Sequence, residues 1–246
     1  MGRHGAAGVN LLITSGATPL AQELARAFAD DHDVRLTDVI DVQTTWPFVR
    51  CDLGHDAATD RLVAGVDALI HLAALPPAQI DSSEESANRQ LDFHTRCTYN
   101  LLHAASEAGV SRCIFAGSLS VFANCDDDWA INERWRPQPS TESQVLAHHL
   151  GEFVCREFAR EGRLAVTCLR LGTLGASTNG AAQPPDQTWL SYADAGRAFQ
   201  CALAAPPEPW GIYHIQSEFP GARFTTEKAR QGLEFSPLST NPGGDA

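Results

Sequence analysis

The sequence predicts a doubly wound α/β fold: a parallel sheet with helices on both faces, Rossmann-like in outline, and a small C-terminal substrate-side subdomain. Two observations carry this. Short β-rich, mainly apolar runs at 9–14, 34–37, 48–51, 68–72, 113–116 and 166–171 read as strands covered on both faces. Between them lie segments of helical spacing, including Leu91, Thr95, Thr98, Leu102 and Ala105, and then Leu146, Leu150, Phe153, Val154 and Phe158. Strand and helix in alternation give βαβ units and hence parallel pairing.

Each element follows from local chemistry. The first run passes through Ser15 and Gly16 into an amphipathic segment that Thr18 is placed to cap, with Pro19 in its first turn. Two stretches interrupt the alternation: 124–142, with Asp126, Asp127, Asp128 and two prolines, and 175–187, rich in Gly, Ala, Asn and Pro. Both read as loops that follow strands, where an open α/β sheet binds its ligands. Ser191 and Asp194 have capping-box spacing and open a helix running to about Ala205, behind a buried Trp189 and Leu190. The expected organisation is one domain over 1–235, with substrate-side elements formed by 124–142 and 175–235, and a disordered tail at 236–246.

The 246 residues suffice for a sizeable core, and 43% hydrophobic with 20% charged residues is ordinary for a globular chain. A net charge of -12 excludes the nucleic-acid backbone as a natural partner. No apolar run approaches the length of a membrane span and no leader is apparent, so the expectation is no membrane and a cytoplasmic protein. Seven cysteines without a C-x-x-C pair fit a reducing compartment. Asp126, Asp127 and Asp128 lack the later ligands of a calcium loop and the histidines are scattered, so no metal is expected.

The turn Thr14-Ser15-Gly16-Ala17-Thr18-Pro19-Leu20-Ala21 stands where a phosphate loop would, with Gly16, Thr18 and Leu20 nearest a pyrophosphate. It holds a single glycine, and two readings stay open: pyrophosphate binding, or a plain strand-turn-helix connection. Asp38, ending the second run, would either accept a hydrogen bond from an adenosine ribose, favouring NAD, or start a turn.

In order along the chain stand Cys51-Asp52-Leu53, His71-Leu72-Ala73-Ala74, Thr98-Tyr99-Asn100-Leu101-Leu102, Ser118-Leu119-Ser120-Val121-Phe122, Gly151-Glu152, Arg170-Leu171-Gly172 and Phe224-Thr225-Thr226. As a series they resemble the extended short-chain dehydrogenase/reductase family, the NAD-dependent epimerase/dehydratase group. The run Thr188-Trp189-Leu190-Ser191 is similar to its uronate dehydrogenase branch. The resemblance implies an NAD cofactor, with Asp52 and Leu53 near the adenine and Ala73 and Ala74 along the dinucleotide. It implies that Ser118 is the catalytic serine and that the substrate is a sugar, sugar acid or nucleotide sugar. Assembly as a homodimer is the expectation.

The resemblance also locates replacements. Phosphate-loop glycines fall on Ser15, Thr18 and Ala21, the catalytic tyrosine on Gln144, its lysine on His148, and an asparagine of the central helix on His94. The only lysine is Lys228, and no Tyr-x-x-x-Lys pair exists. A phenol beside a cation can exchange a proton with an alcohol or carbonyl; a glutamine amide cannot. Gln144 and His148 are expected on the helix side opposite Leu146, Leu150 and Phe153, facing either a cleft or solvent. The candidate catalytic residues are Ser118, His148 and Gln144. The functional expectation is an atypical member of the family without ordinary tyrosine-dependent oxidoreduction; the alternative is a non-catalytic nucleotide-sensing or regulatory module.

Overall fold

The computed structural model describes residues 8–175, 187–219 and 221–238. Seven strands form one fully parallel sheet: β1 (Asn10–Ile13), β2 (Asp33–Asp38), β3 (Phe48–Arg50), β4 (Ala68–His71), β5 (Arg112–Ser118), β6 (Ala165–Leu171) and, numbered after two short strands below, β9 (Trp210–Ile215). Their order is β3-β2-β1-β4-β5-β6-β9. The chain winds outward from β1 to β3 and then resumes beside β1 with β4. The carboxyl ends of β1 and β4 therefore flank a crevice at the point where the winding reverses.

Helices α1 (Pro19–Phe28), α6 (Tyr192–Ala204) and α7 (Glu227–Leu233) cover one face; α2 (Ala57–Val63), α4 (Thr98–Glu107) and α5 (Ser143–Arg160) cover the other. Helix α1 turns Leu20, Leu24 and Phe28 to the sheet, and each buried side chain of that size contributes about 1.5–3 kcal/mol. Helix α3 (Glu84–Asp92) runs into α4 through a π turn, Phe93–Cys97. The 124–142 stretch is tied to the body by a bridge from Ile131 to Phe224 and by a small core of Leu119, Val121, Phe122, Cys125, Ile131 and Phe224.

Three sequence expectations need correction. The strand Trp210–Ile215 is not among the predicted runs, because it lies at the sheet edge where Gly211, Tyr213 and their neighbours alternate between buried and half-buried positions. The stretch from 187 onward thus does more than furnish substrate-side elements: it supplies α6 and the seventh strand. A second sheet of β7 (Thr173–Gly175) and β8 (Trp189–Ser191) also escapes periodicity, being three residues per strand.

The third concerns α5. Its buried residues are Val145, Ala147, Gly151, Glu152, Cys155, Phe158 and Ala159, whereas Phe153 of the expected stripe is 49% exposed. Gly151 explains the rotation. A Cβ there would lie 3.1 Å from the His94 carbonyl oxygen and 3.1 Å from the Phe115 ring, so the glycine rather than the leucines is pressed against the body. Most of the loop expected at 175–187, and all but three residues of the tail expected at 236–246, lie outside the described residues. All seven cysteines are free thiols. Among the described residues no helix is long and apolar enough to cross a membrane.

Candidate active site

A cavity of about 590 Å³ opens at the carboxyl ends of the strands. It gathers Thr18, Leu20, Ala74, Ser118, Gln144 and His148 of the residues singled out by sequence, while Gly16, Asp38, Asp52, Leu53 and Ala73 do not line it.

Ser118 ends β5 and caps the 3-10 turn Leu119–Phe122. Its Oγ accepts the Ser120 amide at 3.1 Å and donates to Ser120 Oγ at 2.8 Å. Gln144 and His148 sit one turn apart on α5. His148 is half-buried rather than exposed, and its Nδ1 is fully buried without a hydrogen-bond partner. Burial and the neighbouring His94 push the His148 imidazolium down to about 3, so the ring is neutral at physiological pH. Beneath it His94 is buried in the π turn and donates from Nδ1 to the Gln90 carbonyl at 2.9 Å.

Three further lining residues are not among the sequence candidates, although Gly172 lies in one of the matching runs. Arg223, from the loop before Phe224, is the one cationic side chain besides histidine in the lining, and no carboxylate lines the cavity among the described residues. Its Nη2 holds the carbonyls of Cys125 and Asp126 at 2.7 and 3.0 Å and its Nη1 pairs with Asp127 at 2.9 Å; Nε is buried without a partner. Tyr192 brings a phenol from the first turn of α6, so the hydroxyl missing at Gln144 has a counterpart on another element. Gly172 lets the β7–β8 pair close, since a Cβ there would fall 1.9 Å from the Thr188 carbonyl.

The phosphate-loop position is closed on itself. The N–H of Gly16 goes to the Thr37 carbonyl at 2.9 Å, that of Ala17 to Asp38 Oδ2 at 2.9 Å, that of Thr18 to the Ser15 carbonyl at 2.9 Å, and that of Ala21 to Thr18 Oγ1 at 3.2 Å. Pro19 has none, leaving Leu20 as the one residue from 16 to 21 whose N–H has no protein acceptor among the described residues. Thr18 thus caps its helix as the sequence suggests. Asp38 is 4% exposed and also accepts the Ile40 amide at 3.3 Å, the turn-starting role. Burial raises its carboxyl above the ordinary range, against the lowering effect of these bonds. Asp52 is exposed and accepts the Gly54 amide at 3.2 Å; the Leu53 carbonyl takes Asn100 Nδ2 at 3.0 Å; the Ala74 amide donates to Ser15 Oγ at 3.0 Å.

Around this rim three residues other than glycine hold positive φ: Ser15 at 60°, Leu53 at 54° and Ala73 at 49°. Such backbone costs roughly 1–2 kcal/mol per residue and gathers at functional sites. A dinucleotide's pyrophosphate needs several free amides at the helix start. One remains, and the carboxylate that would hold a ribose already accepts from Ala17 and Ile40, so in this conformation the loop offers a pyrophosphate a single main-chain donor among the described residues. Among the described residues no group of three His, Cys, Asp or Glu converges to hold a metal.

The site is held from behind by a buried ion pair. Arg170 on β6 donates from Nε and Nη2 to Glu152 on α5 at 2.8 and 2.6 Å, and its guanidinium lies 5.0 Å from the centre of the Phe122 ring. This fixes α5, and with it Gln144 and His148, against the end of β6.

Known proteins share this architecture. Uronate dehydrogenase of Pseudomonas syringae pv. tomato is 26% identical over 204 residues, covering 80% of this chain and 70% of that protein. The crystal structure of uronate dehydrogenase from Agrobacterium tumefaciens superposes with a TM-score of 0.80 at 21% identity, covering 96% of this chain and 86% of that one. The structure of MoeE5 in complex with UDP-glucuronic acid and NAD gives a TM-score of 0.76 at 18% identity, with 94% of each chain covered. Residues 6–199 match the pattern of one family across most of the sheet and the cavity, and the chain belongs to it: the NAD-dependent epimerase/dehydratase family.

Proposed function

We propose that this chain is an atypical member of its family whose cavity takes an anionic sugar-type ligand, a sugar acid or nucleotide sugar, without conventional tyrosine-dependent hydride exchange. The observation that carries the reading is the composition of the cavity wall. Ser118, Gln144 and His148 supply neutral hydrogen-bonding groups, Arg223 supplies the one guanidinium of the lining, paired with the exposed Asp127, and among the described residues no carboxylate belongs to the lining itself. A sugar presents hydroxyls to the first set and its carboxylate or phosphate to the second. The relatives named above act on uronates or hold UDP-glucuronic acid, which supports the same ligand class.

NAD enters this reading as a weakly held partner at most, because the loop offers a single free amide to a pyrophosphate. His148, neutral and hard to protonate, orients a ligand hydroxyl more readily than it stores a proton. That property favours a second reading, a non-catalytic sensing module in which binding rather than turnover is the output. Calorimetric titration with hexuronates and UDP-glucuronic acid, with and without NAD, separates the cases. Saturable sugar binding weakened at least tenfold by Arg223→Gln is the expected result. NAD-dependent oxidation of a uronate at a rate that survives Ser118→Ala would overturn the proposal.

A further inference from the structure

His148 lines the cavity and His94 stands buried behind it, and each carries a buried ring nitrogen without a partner: Nε2 of His94 and Nδ1 of His148. Their rings lie 4.8 Å apart, edge to face at 86°. A ring nitrogen sits about 1.1 Å from its centroid, so a direct N–H···N bond of ~2.9 Å spans centroids roughly 5 Å apart. The pair is therefore within bonding reach after rotation of a ring.

The tautomer of His94 is set by its surroundings. Its Nδ1 faces a carbonyl oxygen, the Gln90 main chain at 2.9 Å, which can only accept, so Nδ1 carries the proton and Nε2 is a bare lone pair. Both imidazoles are neutral, since burial pushes His94 down to about 4 and His148 to about 3. His148 thus has one proton to place. On Nε2 it would leave two buried nitrogens unsatisfied, each at a cost in the range of an unmade hydrogen bond. On Nδ1 it can be donated to His94 Nε2 once a ring turns, which satisfies both.

We infer that His94 is a positioning residue for the cavity: it draws the His148 proton to Nδ1 and leaves His148 Nε2 as a bare acceptor toward the ligand. The site then selects a ligand that presents a hydroxyl proton at that point, and rejects one that presents only an ether or carbonyl oxygen there. Two local features build the arrangement. The π turn Phe93–Cys97 swings His94 toward α5, and Gly151 lets α5 approach the His94 backbone to the distance a Cβ would forbid. Turns of this kind recur at functional sites.

This inference rests on the cavity being a ligand site, but its test needs no ligand. Long-range proton–nitrogen correlation spectra of the ¹⁵N-labelled full chain report which ring nitrogen is protonated. The expected result is a protonated Nδ1 and a bare Nε2 on His148, reversed in His94→Phe and retained in His94→Gln, whose amide oxygen can still accept. A protonated Nε2 on His148 in the unmodified protein, or an unchanged tautomer in folded His94→Phe, would overturn it. Should His94→Phe fail to fold, the unmodified protein and His94→Gln decide alone: loss of the Nδ1 proton in folded His94→Gln also counts against it. If the tautomer is as expected and no sugar binds, the functional reading fails and the positioning role stands.

Discussion

Lowering the pH should unfold this protein through histidines that never see solvent. His71 is fully buried between β1 and α4: its Nδ1 lies 2.9 Å from Thr14 Oγ1 and its Nε2 2.9 Å from Thr98 Oγ1. Thr98 donates its own proton to the Phe93 carbonyl at 3.2 Å, so it accepts from His71 Nε2, and Nδ1 accepts from Thr14. A second proton would break that network. Burial, with His94 nearby, accordingly pushes His71 down to about 3, and burial holds His94 at about 4.

The unfolded chain takes up these protons near the ordinary value of 6.5, the folded chain far lower. Stability is thus complete above pH 6.5, falls as the pH drops toward 4, and levels below the folded values. A pH unit below the unfolded midpoint is worth about 1.4 kcal/mol per group, so at pH 5 His71, His94 and His148 each contribute a loss of about 2 kcal/mol, about 6 together, and His214, which burial also holds well below the ordinary value, adds to it. Against a total of about 5–15 kcal/mol that is a large fraction. Urea denaturation followed by tryptophan fluorescence at pH 7.5 and pH 5 measures it. His71→Gln should remove about a quarter of the pH dependence, one of four such histidines, whatever it does to absolute stability. A pH slope unchanged in that variant, or a native His71 resonance titrating near 6.5, would refute the reasoning.

Other outcomes follow from the same geometry. Glu152→Leu strands the Arg170 charge in the interior and should cost about 3–5 kcal/mol in chemical denaturation, most of it recovered in the double variant with Arg170→Met. Thr18→Gly with Pro19→Ile releases the Ala21 amide and adds one at residue 19; calorimetry should show NAD affinity raised at least tenfold, at a helix-capping cost of only a few tenths of a kcal/mol. Gly172→Ala drives a methyl against the Thr188 carbonyl, so thermal melts should show about 1–3 kcal/mol of destabilisation together with weakened sugar binding.

Much of the sheet is legible in the sequence because its central strands are buried on both faces and mainly apolar, and six short apolar-rich runs announce themselves. The seventh, Trp210–Ile215, has one half-covered side and a glycine, and its signal is lost. At the site, the capping role of Thr18 follows from local sequence, while Ser118 is found through the family resemblance. The environment of His148 does not. Helical periodicity finds the apolar side of α5, but the side pressed inward is chosen by Gly151, a residue whose importance lies in having no side chain for a pattern to count. Arg223 and Tyr192 stand one residue outside the runs Phe224-Thr225-Thr226 and Thr188-Trp189-Leu190-Ser191, far along the chain, and only the folded topology brings them to the cavity that Ser118 lines.

The π turn has a further consequence in terms of chain length. It holds one residue more than an α-helical turn of the same span, and each residue turns a helix by about 100°. Deleting a single exposed residue there, Arg96, would let α3 and α4 merge into one regular helix in their present phase and would close the wide turn that presents His94. His94 would then swing away from His148 although neither residue had been altered. The wall of this cavity is specified by the count of residues in a helix as well as by their identities.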